Sequence, residues 1–121
     1  MKKAIQSFKK TAKILDAHAA KLQTELTRSN LSAQEKGTLF ARIHKVNSQY
    51  KLLERKLLYT KGLDSRHWFK HVVFAPGLWT GYAGATFPGI VEAIEFGKDW
   101  EVMKWVAICA GAVGDAAGWL S

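Results

Sequence analysis

The sequence has little cysteine, little proline and no long apolar run, and each shortage narrows the class of protein. The one cysteine, Cys109, has no partner for a disulfide within the chain, which excludes a small scaffold stapled by disulfides. Both prolines, Pro76 and Pro88, fall in the central segment, so long helices can form on either side. The most apolar stretch, residues 105–114, is far shorter than the ~20 residues of a membrane span. The basic start leads into a charged periodic stretch, which predicts no signal peptide.

Positive charge is concentrated in one half of the 121 residues. Residues 1–62 hold 14 basic and 4 acidic side chains, a net charge of +10, whereas residues 63–121 hold 4 basic and 6 acidic, a net charge of −2. A basic field concentrates anions, so a helical module that binds nucleic acid or a membrane surface is one alternative. However, the first half lacks interleaved aromatics and a glycine-rich phosphate cradle. We therefore expect a solvated helical hairpin, with no nucleic-acid and no membrane contact by this segment.

Apolar residues recur at spacings of three and four in three stretches, which predicts three amphipathic helices. The first stripe spans residues 5–26 and the third spans residues 103–120. The second helix should begin behind Ser32, because Ser32 and Glu35 have the spacing of a capping box, and it can run to about residue 59. The first two helices should form an antiparallel hairpin, and the C-terminal helix should cover its apolar stripe.

Three glycines interrupt the predicted C-terminal helix, at Gly111, Gly114 and Gly118. Each costs a helix ~1 kcal/mol relative to alanine, and glycines kept at that cost usually allow another backbone to come close. Two interpretations are open: a tight helix crossing within the domain, or contact with a second subunit. These glycines and the segment from Trp100 to Trp105 are the candidates for such a packing or dimer interface.

The central segment, residues 67–90, alternates aromatic residues with glycine and proline. Such a composition does not sustain a regular helix, nor a strand beyond residues 72–75. A loop of this length is uncommon in a small domain and is usually functional. A short helix should follow, with Pro88 near its start and Gly97 at its end. The layout predicts an all-α helical bundle: an antiparallel helical hairpin, a long ordered loop, a short helix and a C-terminal helix.

Candidate catalytic and metal-binding groups are few. His67 and His71 have the i, i+4 spacing of zinc ligands on a helix, but no glutamate follows His67 and no third ligand is close in sequence. Local hydrogen bonds at the base of the loop are the favoured interpretation. Cys109 has no basic neighbour, which indicates a small core residue. Four acidic residues form a mild patch that is either solvated or faces a basic hairpin: Glu92, Glu95, Asp99 and Glu101.

Two stretches around the central loop resemble one family closely. They are Gly62-Leu-Asp-Ser-Arg-His-Trp-Phe-Lys-His-Val-Val-Phe-Ala-Pro76 and Gly81-Tyr-Ala-Gly-Ala-Thr-Phe-Pro-Gly-Ile90. Both are similar to the C-terminal region of glutamate carboxypeptidase II-like zinc peptidases, whose last segment is the transferrin-receptor-like dimerisation domain. The likeness is strongest over residues 53–93 and extends by helix layout over residues 5–121. It implies that residues 1–121 are a single such domain, excised from a longer protein.

The resemblance also implies partners for this domain. It would pack on the protease domain of the parent chain and on the same domain of a second subunit, giving a homodimer. The loop of residues 77–89 would help form the substrate pocket, with Tyr82 matching the tyrosine that contacts the C-terminal residue of the substrate. Gly81 stands where the glutamate-specific enzyme has a lysine, so specificity for glutamate is in doubt. The alternative for Tyr82 is an aromatic plug in an ordered loop.

By the same resemblance, the peptidase chemistry lies outside this chain. The two zinc ions and the catalytic base belong to the protease domain, and no matching motif occurs here, so we expect no cofactor and no hydrolysis from this chain alone. A self-sufficient hydrolase using His67, His71 and Tyr82 is the rival. The parent is expected to be a zinc-dependent carboxypeptidase or aminopeptidase, with a catalytically inactive receptor-like relative as the alternative. The resemblance implies a membrane-anchored parent that faces the extracellular space or the vacuolar lumen.

Overall fold

The computed structural model describes residues 1–79 and 81–121. In this part of the chain, four α-helices, one short 3-10 helix and two short strands follow one another. Their bounds are α1 Lys2–Leu26, α2 Ala33–Leu52, the 3-10 helix Leu53–Leu57, β1 Phe74–Pro76, β2 Gly84–Thr86, α3 Pro88–Phe96 and α4 Asp99–Leu120. The predicted all-α helical bundle is confirmed. None of these helices combines the length and the apolar character that crossing a bilayer requires.

The start of α2 is the predicted capping box. The Glu35 amide donates to Ser32 Oγ at 3.2 Å, and the Ser32 amide donates to Glu35 Oε2 at 2.7 Å. Two backbone donors that have no partner inside the helix are thereby satisfied. The Tyr50 hydroxyl near the far end of α2 donates to Asp16 of α1 at 2.5 Å, as expected for an antiparallel hairpin.

The end of α2 differs from the prediction of a helix to about residue 59. The α-helix ends at Leu52, and a 3-10 helix carries the chain to Leu57. There the backbone turns to pair with a later segment: the Tyr59 amide donates to Lys70 O at 2.8 Å, and the Val72 amide donates to Leu57 O at 2.9 Å. Leu57 and Tyr59 use backbone groups in this pairing, so helical structure does not extend past Leu57 to the predicted residue 59.

The core consists of two clusters that α4 joins. One lies between α1 and α2 and includes the last helical residue of α4; its buried members are Leu15, Leu22, Leu39, Val46 and Leu120. The other lies under the loop and α3; its buried members are Leu63, Val72, Ala75, Ala93, Trp105, Cys109 and Ala112. The C-terminal helix therefore covers the hairpin as predicted, and it also supports the loop segment.

The central loop contains a small antiparallel ribbon. β1 and β2 pair in the register Phe74 with Thr86, Ala75 with Ala85 and Pro76 with Gly84. The predicted strand at residues 72–75 is shifted toward the C-terminus, and the sequence analysis did not predict its partner strand. A three-residue strand is too short to show a clear alternation, and the small residues of β2 allow the two backbones to pair without packing large side chains.

Candidate functional site: the exposed face of α4 and the loop tip

The three glycines of α4 lie on its exposed side. A Cβ placed on Gly111, Gly114 or Gly118 would meet no atom within 4 Å among the described residues. The interpretation of a tight crossing within the domain is therefore wrong for these positions. The opposite side of α4 packs on the core through small residues such as Ala112 and Ala116, which already permit close packing. The other interpretation, contact with a second subunit, stays a prediction.

The two tryptophans predicted at the interface lie on different sides of α4. Trp100 is 60% exposed and, with Met103, extends the side that carries the glycines. Trp105 is only 2% exposed: its ring meets Tyr59 edge-on with centroids 5.8 Å apart, and its Nε1 donates to Asp64 Oδ2 at 2.8 Å. Trp105 is thus a core residue, and its enclosed indole has no surface to offer a partner.

Asp64 links the segment before the loop to α4. Lys104 Nζ donates to its two carboxylate oxygens at 3.0 and 3.1 Å, in addition to the bond from the Trp105 indole. Burial raises the pKa of this carboxyl group, but the hydrogen bonds from Trp105 and Lys104 outweigh burial and hold the pKa below its usual range. Asp64 is therefore an ionised carboxylate, held in place by hydrogen bonds, and it is not a proton donor at neutral pH.

His71 makes the local hydrogen bonds that were predicted for it. Its Nδ1 accepts from the amides of Val73 at 3.2 Å and Phe74 at 3.1 Å, which leaves Nε2 to donate to Glu54 Oε2 at 2.7 Å. Both ring nitrogens are thus engaged in holding the base of the ribbon, and neither is open for a metal ion. Within residues 1–79 and 81–121, no three His, Cys, Asp or Glu side chains are grouped so that they could hold one.

The loop tip, which comprises residues 77–79 and 81–83 between the two strands, presents aromatic side chains to solvent. Tyr82 is fully exposed, so the interpretation of an aromatic plug is wrong for this structure. Trp79 is also largely exposed, and its ring meets Phe96 at the end of α3 edge-on, with centroids 6.1 Å apart. The predicted loop also includes Thr80, which lies outside the described residues. Gly81 has φ +53°, a left-handed conformation in which a lysine would be strained.

An ion pair that sequence reasoning missed lies beneath this loop. Glu92 belongs to the predicted acidic patch, but its side chain is mostly buried and accepts a hydrogen bond from Arg66 Nη2. Arg66 belongs to the motif that carries the family resemblance, which gave no role for it. The two residues are 26 positions apart, and no local pattern in the sequence indicates that they meet.

Comparison with known proteins identifies the family. The family model of the transferrin receptor-like dimerisation domain matches residues 1–121. The chain belongs to this family. The resemblance predicted from the loop motifs is therefore confirmed.

Relatives of this transferrin receptor-like dimerisation domain are much longer proteins. The chain is 30% identical to a probable glutamate carboxypeptidase of Arthroderma benhamiae, over 97% of the chain and 18% of that protein. It is 33% identical to the probable glutamate carboxypeptidase AMP1 of Arabidopsis thaliana, over 75% of the chain and 12% of that protein. It is 28% identical to the vacuolar protein sorting-associated protein 70 of Saccharomyces cerevisiae, over 57% of the chain and 8% of that protein. The chain thus spans less than a fifth of the length of each.

Proposed function

We propose that this dimerisation domain joins two copies of a longer peptidase-like protein through the exposed face of α4. The observation that carries the proposal is a stripe of apolar and small residues that nothing in the described chain covers. Its members recur at spacings of three and four: Trp100, Met103, Ala107, Gly111, Gly114 and Gly118. Exposed apolar patches of this kind mark interaction surfaces in soluble proteins.

The glycines explain what kind of partner fits this face. Three glycines in the second half of α4 weaken the helix by ~1 kcal/mol each relative to alanine, and no atom of residues 1–79 or 81–121 lies within 4 Å of where a Cβ would stand at any of them. A helix of a second copy could approach the bare backbone closely. Two-fold symmetry would let the same face serve both subunits.

Sedimentation velocity of the 121-residue chain tests this role. We expect a dimer that dissociates on dilution, and we expect Gly114→Leu to shift the chain toward monomer because a leucine would hold the two helices apart. Gly37→Leu is the matched control, since Gly37 is also an exposed helical glycine with no atom within 4 Å of a Cβ. A monomeric parent at high concentration, or a Gly114→Leu variant that dimerises like the parent, would contradict the proposal.

We further propose that the loop tip completes the substrate pocket of a protease domain elsewhere in the longer protein, which would hold two zinc ions. Tyr82 would contact the C-terminal residue of a peptide substrate. Its full exposure supports this role, since an aromatic side chain that is open to solvent in its own domain is free to meet another group. In the longer protein, we expect Tyr82→Phe to raise KM and Phe40→Leu, a change at an exposed aromatic of α2, to leave KM unchanged. Equal KM values for all three proteins would contradict this role.

Hydrolysis by this chain alone is not part of the proposal. The engaged ring nitrogens of His71 support this view, because a metallopeptidase site needs open ligands. Metal analysis of the purified chain together with a peptidase assay tests it. Stoichiometric zinc with turnover would favour the rival, a self-sufficient hydrolase.

A further inference from the structure

One side chain, that of Arg66, bridges the two ends of the loop. Its Nη1 donates to the carbonyl oxygen of Pro76 at 2.6 Å, and its Nη2 donates to a carboxylate oxygen of Glu92. Pro76 is the last residue of β1, where the chain leaves for the loop tip, and Glu92 lies in α3, into which the chain returns. The guanidinium group therefore fixes the distance between the end of β1 and α3.

This bridge is enclosed by protein. The Arg66 side chain is 9% exposed and that of Glu92 is 17% exposed. The guanidinium carbon lies 5.7 Å from the centre of the Phe69 ring, which covers one side of it. An ion pair shielded from water in this way keeps its geometry, and removal of one member leaves the other as an uncompensated charge.

A tight turn presents Arg66 toward the loop. The Leu63 amide donates to Phe69 O at 2.9 Å, and the Arg66 amide donates to Leu63 O at 3.0 Å. Gly62 begins the turn at φ +73°, and a Cβ there would stand 2.2 Å from His67 O, so only glycine fits. These hydrogen bonds fix the backbone of Arg66 without any contribution from the loop that its side chain holds.

We propose that Arg66 is the positioning residue of the loop tip, and that it acts through the forked hydrogen bonds to Pro76 and Glu92. The fork is essential, because a planar guanidinium can hold two acceptors in fixed directions whereas the ammonium of a lysine acts as a point charge. The purpose of this positioning, to place Tyr82 in a substrate pocket, rests on the proposed function. The positioning itself is a property of this chain.

Hydrogen exchange on the 121-residue chain, followed residue by residue by NMR, tests the bridge. Two amides report on the loop: that of Gly77, which donates to Ala83 O at 2.9 Å, and that of Phe87, which donates to Val73 O at 2.7 Å. In Arg66→Lys we expect both to exchange about tenfold faster or more, while amides in the α1–α2 hairpin keep the rates of the parent.

Two further variants separate positioning from general stabilisation. Glu92→Gln keeps the size of the side chain and an oxygen acceptor, so it should fold even if Arg66→Lys does not, and it should loosen the loop amides to a smaller extent. Arg42→Lys is the matched control, since Arg42 forms an exposed ion pair with Glu25 far from the loop, and it should leave Gly77 and Phe87 unchanged.

Three results would overturn the proposal. They are parent-like rates at Gly77 and Phe87 in both Arg66→Lys and Glu92→Gln, an equal rise at all amides of the chain in Glu92→Gln, and a rise at the loop amides in Arg42→Lys. The readout involves no substrate. A loosened loop in these variants together with an unchanged KM for Tyr82→Phe would support the positioning role and contradict the pocket role.

Discussion

The indole of Trp105 lies directly against Gly89. A Cβ on Gly89 would stand 2.3 Å from Cδ2 of the ring and 2.4 Å from Cε3, far inside normal packing distance. Gly89 is the second residue of α3, so its missing side chain sets how closely α3 approaches α4. The close approach that the sequence analysis placed at glycines of α4 occurs within the chain at this glycine of α3.

Gly89→Ala should lower the free energy of unfolding by ~1–3 kcal/mol, because an indole in the core cannot yield to a new methyl group without moving α3 or α4. Urea denaturation of the parent and the variant measures the difference. The control is Gly37→Ala in α2, where a Cβ meets nothing, and it should raise stability by ~0.5–1 kcal/mol. A Gly89→Ala variant as stable as the parent would contradict the close packing of Gly89 on Trp105.

The local parts of this fold are the ones that the sequence predicts best. The capping box of Ser32 and Glu35 involves residues three apart, and α3 is bracketed by Pro88 and Gly97, so each signal lies within the element it defines. The end of α2 was not predictable in this way. The chain changes to a 3-10 helix after Leu52, and Leu57 then pairs with Val72, a residue that the helical pattern does not point to.

The candidate site was predictable only in part, for the same reason. Trp100 and Trp105 are five residues apart on one helix, and helical periodicity says that they face different directions without saying which direction is inside. The indole of Trp105 is buried because Asp64 and Tyr59 are brought to it by tertiary packing. The partnership of Arg66 with Glu92 likewise exists only once the loop has folded back.

Ser32→Ala should remove the acceptor for the Glu35 amide and lower the free energy of unfolding by ~1 kcal/mol. Ser7→Ala, an exposed change in the second turn of α1, should have no unfavourable effect because alanine is the better helix former. Thermal unfolding followed by circular dichroism compares the three proteins. An equal loss of thermal stability in Ser32→Ala and Ser7→Ala would mean that the capping hydrogen bond does not stabilise the fold.

The same capping box gives a pH dependence at the acid end. The hydrogen bonds that the Glu35 carboxylate accepts from the Ser32 amide and from the Ser32 side chain hold the pKa of Glu35 below its ordinary value of 4.5. A lowered pKa in the folded state means that the stabilisation is complete above 4.5 and is lost as the pH falls through the folded value. The difference in free energy of unfolding between the parent and Glu35→Gln should therefore shrink as the pH falls below 4.5. A difference that stays constant at every pH below 4.5 would contradict the proposed contribution of the Glu35 carboxylate.

Gln49→Leu should destabilise the junction of α2 and α4 by ~1–3 kcal/mol. The Gln49 side chain is buried and its Nε2 donates to Trp119 O at 3.0 Å, an oxygen in the last turn of α4 that has no partner within the helix. A leucine fills similar space but leaves this oxygen unpaired. Gln6→Leu, an exposed change in α1, should alter stability by less than ~0.5 kcal/mol in urea denaturation. Equal effects of the two changes would remove the argument from the buried hydrogen bond.

The Cys109 thiol should be unreactive in the folded chain, so the rate of its modification should report how often the core opens. Its side chain is fully buried, its Sγ lies 3.9 Å from Val72 O, and burial raises the pKa of the thiol from 9.0 to about 11. An aromatic disulfide reagent at neutral pH should therefore modify the thiol only as fast as the core opens, and at once in denaturant.

The raised pKa of the Cys109 thiol also predicts a pH dependence at the alkaline end. The contribution of this group to the free energy of unfolding is complete below pH 9.0 and falls as the pH rises toward 11, with a slope of up to about 1.4 kcal/mol per pH unit. Cys109→Ala has no thiol to ionise, so the difference in free energy of unfolding between the parent and this variant should narrow between pH 9.0 and 11. If the free energy of unfolding falls equally in both proteins, the thiol does not contribute.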